Sequence, residues 1–559
     1  MLSPKIESVT VAHLKTRLDS GEFAVPKLQR AFVWDGRKAA KLLDSIYRAM
    51  PIGVLTMWDT SASHRDLLRE GAVTALPPFQ SHHDHVIFVL DGQQRLSVLY
   101  QIFGAGTVQN EKKQTVEFRN LVFAAGPSAR ESLSEFAYRK PVQGEWVSVH
   151  DLLTPNWAKR IGPVNSATSK RLSEARERLL KYKVPLTTFS TESIDEAREI
   201  FIRINSAGTP IKSADRAFAS ASRFDLRHHV EKAARSLPPD FDGIPKSVLL
   251  QTRAILDGIE DVGDEAMSAS AKKWDAAIEA DKERGTAAFS KAWDIQVKAM
   301  RLAIDLLRDK FCVYDETMVP STNMITTLTV FFVHAKCRAP KMAQMVEIRK
   351  WFWATALGNR YSGRGYRLNI RRDTEFFKRL AVGEGIFKIA DRIDRDEIGR
   401  AVYGSRSSIA NAFFCLLAMQ RPRLPEDGSP ISLSEAAAAA NRKHKHHIFP
   451  REHLRREGVS QKVMNSILNL CFIPAHMNSQ FGSKAPHKYL EPYKPSRHFA
   501  AVMRSHLIPA AQDSGVWDGS TRRGYPIFLQ QREAAVCAAF EEAAGAKLFR
   551  SGSRSSVKK

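Results

Sequence analysis

Cysteine is scarce in this chain: Cys312, Cys337, Cys415, Cys471 and Cys537 stand far apart among 559 residues. No CxxC pair occurs, which argues against a zinc knuckle, and an odd, scattered set gives no disulfide framework. Long apolar runs are missing too. The longest, around Met324 to Ala335 and Ala410 to Met419, fall short of the roughly 20 residues that cross a bilayer. The first ten residues contain Lys5 and Glu7 and no apolar core of a secretory signal. A cytoplasmic protein with reduced thiols and no membrane partner is expected. No GxxxxGK[ST] stretch is present, which excludes a conventional P-loop. Acidic residues are in deficit, 60 Asp and Glu against 84 Lys and Arg, for a net charge of +24. Such an excess favours a polyanion through counterion release and carries no sequence preference, so nucleic-acid contact is expected over a merely basic soluble protein.

What is present begins with an N-terminal run of polar motifs. Pro26 breaks regular structure, and Gln29-Arg30 then sets an amide beside a guanidinium. Taken alone, Arg30 is equally a surface ion pair. Asp35 is placed to cap a helix through Met50, with Leu42, Leu43, Ile46 and Tyr47 as its apolar stripe. Val54 to Trp58 reads as a strand. Val86 to Leu90 is a wholly apolar strand that runs at once into Asp91-Gly92-Gln93-Gln94-Arg95, and a helical pattern follows. A buried strand feeding a Gly-containing turn into a helix N-terminus suits an anion, because unpaired N–H groups and the helix dipole point there. Gln93, Gln94 and Arg95 add donors, and Asp91 is placed to bind a metal or orient water. Further on, the helical spacing from Glu196 to Ile204 stops at Asn205-Ser206-Ala207-Gly208, and a helix restarts near Ser213 and Asp215. Arg203 and Asn205 at that helix end would reach a shared cleft; simple capping by Asn205 is the local alternative.

Pro26-Lys27-Leu28-Gln29-Arg30 through Trp34, then Asp91 to Arg95, then Phe201 to Gly208 with Asp215, resemble the successive motifs of the GmrSD-like family. The resemblance covers roughly the first 220 residues; 60–85 and 104–180 match nothing usable. It implies an N-terminal domain similar to ParB and sulfiredoxin folds that binds and hydrolyses a nucleotide, ATP or GTP. The implied cofactor-binding set is Gln29, Arg30, Gly92, Gln93, Gln94, Arg95, Arg203 and Asn205, with Asp91 catalytic. The family includes modification-dependent restriction and phage-defence proteins.

From about 225 to 400 the pattern is helical and poor in chemistry. Trp351, Phe352 and Trp353 read as core residues. Arg360-Tyr361-Ser362-Gly363-Arg364-Gly365-Tyr366-Arg367, with Arg371 and Arg372, differs in kind. Basic residues interleaved with tyrosine and glycine suit phosphate contact, and Arg360, Arg364 and Arg367 are DNA-binding candidates. A solvated loop is the competing reading. An Ala-rich helix is expected over Ser434 to Ala440, ahead of His444.

Lys445-His446-His447-Ile448-Phe449-Pro450 carries the most specific signal. Two adjacent imidazoles end a short strand, Asn469 lies midway downstream, and Asn478 follows in His476-Met477-Asn478-Ser479-Gln480. This order resembles an HNH-type ββα-metal nuclease. The resemblance places the general base at His447, since a neutral imidazole titrating near pH 6.5 can activate water. It places metal ligands at His446 and Asn478 and the loop-fixing residue at Asn469; Lys484, in Gly482-Ser483-Lys484-Ala485-Pro486, is placed by its charge to contact the scissile phosphate or DNA nearby. His446 stands where an aspartate is commoner, which makes the site less anionic. An oxygen and nitrogen shell without thiolate favours Mg²⁺ or Mn²⁺ over zinc. His444, His453 and His476 are neighbours without assigned roles.

The expected architecture is α+β and multidomain. A ParB/sulfiredoxin-like domain spans 1–222, a helical connecting region 223–420, an HNH nuclease within a mostly helical domain 421–549, and a disordered tail 550–559. The expected function is an NTP-dependent, modification-sensing DNA endonuclease of a bacterial anti-phage defence or restriction system. Its partners would be double-stranded phage or modified DNA, a nucleoside triphosphate, and an oligomer or other defence subunits. The alternative is a nucleotide-gated DNA-binding regulator with a degenerate HNH module.

Overall fold

A computed structural model describes residues 4–550 apart from 28, 30–31, 70–74, 81–83, 110–113, 127–133, 207–212, 260–261, 364, 390–391, 404–406 and 434–444. The expected Ala-rich helix, His444 and the tail beyond 550 lie outside the described residues. The chain divides into two compact units, Met1–His229 with Ala271–Thr286, and Val230–Ser270 with Ala287–Lys559.

The first unit is built on a mixed five-stranded sheet. Its strands are β1 (Lys5–Thr10), β2 (Phe23–Ala24), β3 (Leu55–Ser61), β4 (His85–Asp91) and β5 (Lys183–Ser190), in spatial order β1-β5-β3-β4-β2. β1 with β5 and β3 with β4 are antiparallel; β5 with β3 and β2 with β4 are parallel. β4 is apolar throughout its middle because both of its faces are covered. Val86, Phe88 and Leu90 pack with Trp58, Phe189 and Phe201 on one side. Val89 packs with Leu55, Met57 and Leu186 on the other. Four helices, α1 (Val11–Asp19), α2 (Gly36–Tyr47), α3 (Gln93–Gly104) and α4 (Ser166–Lys181), contribute Leu14, Leu43, Leu99 and Leu172 to that second face. α5 (Ile194–Ser206) supplies Ala197 and Phe201 to the first.

Asp35 caps α2 as its position suggests, accepting a hydrogen bond from Lys38 N–H at 2.8 Å. The helix stops at Tyr47, short of Met50, because Ala49 turns left-handed at φ 55° and Pro51 disfavours helix in the residue before it. The strand after it runs to Ser61, three residues past Trp58, since β5 pairs with it to Asp59 and β4 as far as Ser61.

The second unit is largely helical. α6 (Asn323–His334), α7 (Met342–Leu357), α8 (Tyr366–Ala381) and α9 (Ser408–Met419) precede a two-stranded hairpin of β6 (Lys445–His447) and β7 (Leu470–Phe472). α10 (Arg451–Arg456) lies between the two strands; α11 (Ala475–Phe481) and the long α12 (Gly524–Ala544) follow. Trp351, Phe352 and Trp353 are fully buried. Phe352 stacks on Phe311 at 3.9 Å, and Trp353 meets Phe540 of α12 edge-on at 5.3 Å, so this aromatic run is core, as read. No described helix is long and apolar enough to cross a membrane.

Candidate active site

The hairpin register sorts the residues of the histidine stretch. His446 opposes Cys471 and His447 opposes Leu470, so the two imidazoles leave the strand on opposite faces. His446 is buried and His447 half-buried, while Ile448 and Phe449 are sealed in the core. The ladder is extended by Ile448 N–H donating to the Asn469 carbonyl at 2.8 Å. Pro450 then stands at the N-cap of α10.

Asn469 holds the turn beyond the pair. It is fully buried; its Oδ1 accepts from Phe449 N–H at 2.8 Å, and its Nδ2 donates to the carbonyls of Phe449 and Met464, both at 3.0 Å. Tyr489 adds a hydroxyl bond to the Ile448 carbonyl at 2.7 Å. From α12 the buried Arg532 reaches the carbonyls of Leu468 at 2.5 Å, His506 at 2.8 Å and Leu507 at 3.2 Å. Burial holds that guanidinium down at about 10, still charged at neutral pH.

His446 directs Nδ1 at Oδ1 of Asn478, which α11 presents at the surface. Its Nε2 is buried with no partner among the described residues. Rings of Phe481 and Tyr489 lie 5.8 and 6.1 Å away. Burial pushes its pKa down to about 4, so the ring is neutral at pH 7, the form that binds metal. A neutral ring can either donate its Nδ1 proton to that oxygen or, with the proton on Nε2, offer the Nδ1 lone pair together with the oxygen to a divalent cation. Among the described residues no group of three His, Cys, Asp or Glu gathers to complete a shell, so water or substrate oxygens would supply the rest.

His447 sets Nε2 3.1 Å from Oδ1 of Asn465. Burial lowers its pKa below the usual histidine value, and the nearby Arg451 charge adds to the effect, against the Asn465 bond. Lys484 is exposed in the turn after α11, beyond Gly482, whose φ of 55° makes the turn. His453 faces the Gly519 carbonyl at 3.2 Å, and His476 is exposed.

In the first unit the motif at the end of β4 is largely occupied with holding its own neighbourhood. Arg95 donates to the carbonyls of Ile52 at 2.6 Å and Val54 at 3.1 Å, and pairs with Asp91 at 2.8 Å. Gly92 and Gly53 make room for that guanidinium. Both have positive φ, and a Cβ at Gly53 would sit 2.6 Å from Arg95 Nη1. Gln94 Oε1 accepts from Val33 N–H at 2.8 Å. Gln29 Nε2 donates to the carbonyls of Val89, at 3.2 Å, and Leu90.

Gln93 is the exception: it is 2% exposed, and neither amide atom has a partner among the described residues. A buried amide left unpaired costs about 1–3 kcal/mol, so it fits a site awaiting a polar ligand. Gln93→Met keeps the length and removes the polar atoms. It is expected to raise the melting point of the unliganded protein while lowering affinity for the nucleotide that the sequence resemblance implies by at least about tenfold, read by thermal melting and calorimetric titration. Equal changes of one sign in both would contradict this.

Other residues singled out by the sequence are spread apart. Arg203 is exposed on α5 and pairs with Glu199 at 2.7 Å. The side chain of Asn205, and Arg30 and Arg364, lie outside the described residues. Arg360 is tied to the buried Asp373 at 2.7 Å, which also accepts from Tyr361 at 2.7 Å and Trp351 at 3.1 Å. Arg367 lies against the Tyr366 ring and is exposed, as are Arg371 and Arg372. Asp215 pairs with Arg227 at 3.0 Å.

Three residues that sequence reading passed over belong in this description. Asn465 and Arg451 adjoin His447, and an asparagine four residues ahead of Asn469 was the available signal. Arg198 is buried in the first unit between Asp195 at 2.6 Å, Ser222 at 2.7 Å and Asp275 at 3.0 Å; nothing local announced a partner 77 positions away.

Comparison with known proteins bears on both units. The chain is 24% identical over 520 residues to an uncharacterized protein of Methanocaldococcus jannaschii, covering 84% of each chain. Residues 12–220, which hold the whole sheet from β2 to β5 and the motif at the end of β4, match the family model described as the GmrSD restriction endonuclease N-terminal domain.

Proposed function

We propose that this protein is a restriction-type DNA endonuclease that hydrolyses phosphodiesters at the His446–His447 hairpin of an HNH-type site. Its first unit binds a nucleoside triphosphate and so gates cleavage, with modified or phage DNA as the target. The observation that carries the reading is the division of labour across the hairpin. One imidazole is buried against Asn478, and the next is half-buried, neutral at physiological pH and opposite in direction.

In this mechanism His447 accepts the proton of the attacking water. Asn469 keeps the loop from yielding as it does so. Arg451 and Lys484 supply positive charge for the phosphate. Mg²⁺ or Mn²⁺, held by His446 and Asn478, would neutralise charge on the phosphate and assist the leaving oxygen. In the first unit the triphosphate, ATP or GTP, would meet Gln93 and the N-terminus of α3, with Arg95 and Asp91 keeping the turn in shape.

A second reading has one observation in its favour: only two metal-ligand candidates, His446 and Asn478, meet among the described residues. It makes the chain a nucleotide-gated DNA-binding regulator. Titrating Mn²⁺ into cleavage reactions separates the two. Asn478→Ala is expected to raise the concentration for half-maximal cleavage by at least about tenfold, the scale of losing a metal-site contact. Wild-type protein that binds DNA and leaves it intact at every metal concentration favours the regulator.

A further inference from the structure

Asn465 stands outside the histidine and asparagine order that the nuclease reading uses, yet among the described residues it is the side chain that hydrogen-bonds the His447 ring. It is itself tightly fixed. It caps the short helix Gln461–Met464, its N–H donates to the Gln461 carbonyl at 3.1 Å, and its carbonyl accepts from Tyr403 N–H at 2.8 Å. The preceding carbonyl, that of Met464, is held by Asn469 Nδ2 at 3.0 Å. The backbone under Asn465 is therefore pinned from two other segments of the chain, and its amide oxygen has a defined place.

An amide oxygen only accepts, so a ring nitrogen 3.1 Å from it must carry the proton. We propose that Asn465 is a positioning residue that fixes His447 as the Nε2–H tautomer and leaves the lone pair on Nδ1 to take the proton of the attacking water. The two asparagines then divide the work. Asn469 holds the backbone beyond the histidine, and Asn465 sets the angle and tautomer of its ring. As in other sites where a histidine acts as a base, the nitrogen that reacts is set by the bond the other nitrogen makes. The inference rests on the nuclease reading for its consequence and on the hairpin geometry for its premise.

The test has two arms. In metal-free protein labelled with ¹⁵N-histidine, a long-range ¹H–¹⁵N spectrum above pH 7, with the His447 signals assigned by their loss in His447→Gln, is expected to show a protonated Nε2 and a bare Nδ1. In Asn465→Leu the same ring is expected to become a mixture of tautomers. In the second arm, Asn465→Leu lowers kcat for DNA cleavage by about 10–100-fold, part of what a whole general base supplies, with KM within about twofold. Asn465→Asp, whose carboxylate accepts the same proton, restores most of the rate. A proton on Nδ1 in the wild type overturns the proposal, and so does an equal loss of rate in the leucine and aspartate variants, the mark of a merely structural side chain. If the wild type cleaves no DNA, the nuclease reading fails, and the spectrum still decides whether Asn465 sets the tautomer.

Discussion

Alanine at position 447 is expected to slow DNA cleavage by about 10²–10⁴-fold, the range a general base contributes. The ring is half-buried, and among the described residues its side-chain hydrogen bond is to Asn465. Its loss is therefore expected to shift the stability of the second unit by only about 1 kcal/mol. The buried groups that hold the loop, Asn469, Tyr489 and Arg532, do not touch it by any of their bonds. DNA affinity and nucleotide affinity are expected to stay within about twofold. Single-turnover cleavage, filter binding and thermal melting on one preparation measure all three. A variant that cuts at the wild-type rate removes His447 from the chemistry.

Asn469→Ala is expected to fail differently, through the fold. It strips partners from the N–H and carbonyl of Phe449 and from the carbonyl of Met464, all inside the core. Each unpaired buried group costs about 1–3 kcal/mol, so for three groups a loss on the order of 3–9 kcal/mol is expected before relaxation. Asn469→Asp is no rescue. It keeps the acceptor for Phe449 N–H but turns the donating amide into a carboxylate facing two carbonyls. Both variants should lose cleavage together with stability in urea melts followed by tryptophan fluorescence. Cleavage lost at full stability would assign Asn469 a direct chemical role instead.

The readable parts of this protein were those written locally. A run of five apolar residues at Val86–Leu90 marks a strand covered on both faces, and Asp35 before an apolar stripe marks a helix start. The histidine pair shows because its spacing to Asn469 and Asn478 is short and its residue types are rare together. Trp351, Phe352 and Trp353 could hardly be anything but core. What stayed hidden was the spending of charge on distant partners. Arg95 looks like a ligand donor in a polar motif, yet its guanidinium is taken up by Asp91 and by carbonyls 41 and 43 residues earlier. Arg360 looks like part of a basic DNA loop, yet it neutralises the buried Asp373. Arg532 sits in an unremarkable helix and braces Leu468, 64 residues away. A guanidinium with five donors finds such partners wherever the fold brings carbonyls together, and no spacing along the chain reports that.

The decisive measurement incubates the purified protein and its His447→Ala variant with modified and unmodified DNA. Mg²⁺ or Mn²⁺ is supplied, with ATP, GTP or no nucleotide, and the products are resolved on denaturing gels. Metal-dependent cleavage by the wild type, enhanced by one nucleotide and abolished in the variant, is the predicted result. Intact DNA under every condition, or equal cleavage by the two proteins, would contradict a nuclease centred on the His446–His447 hairpin.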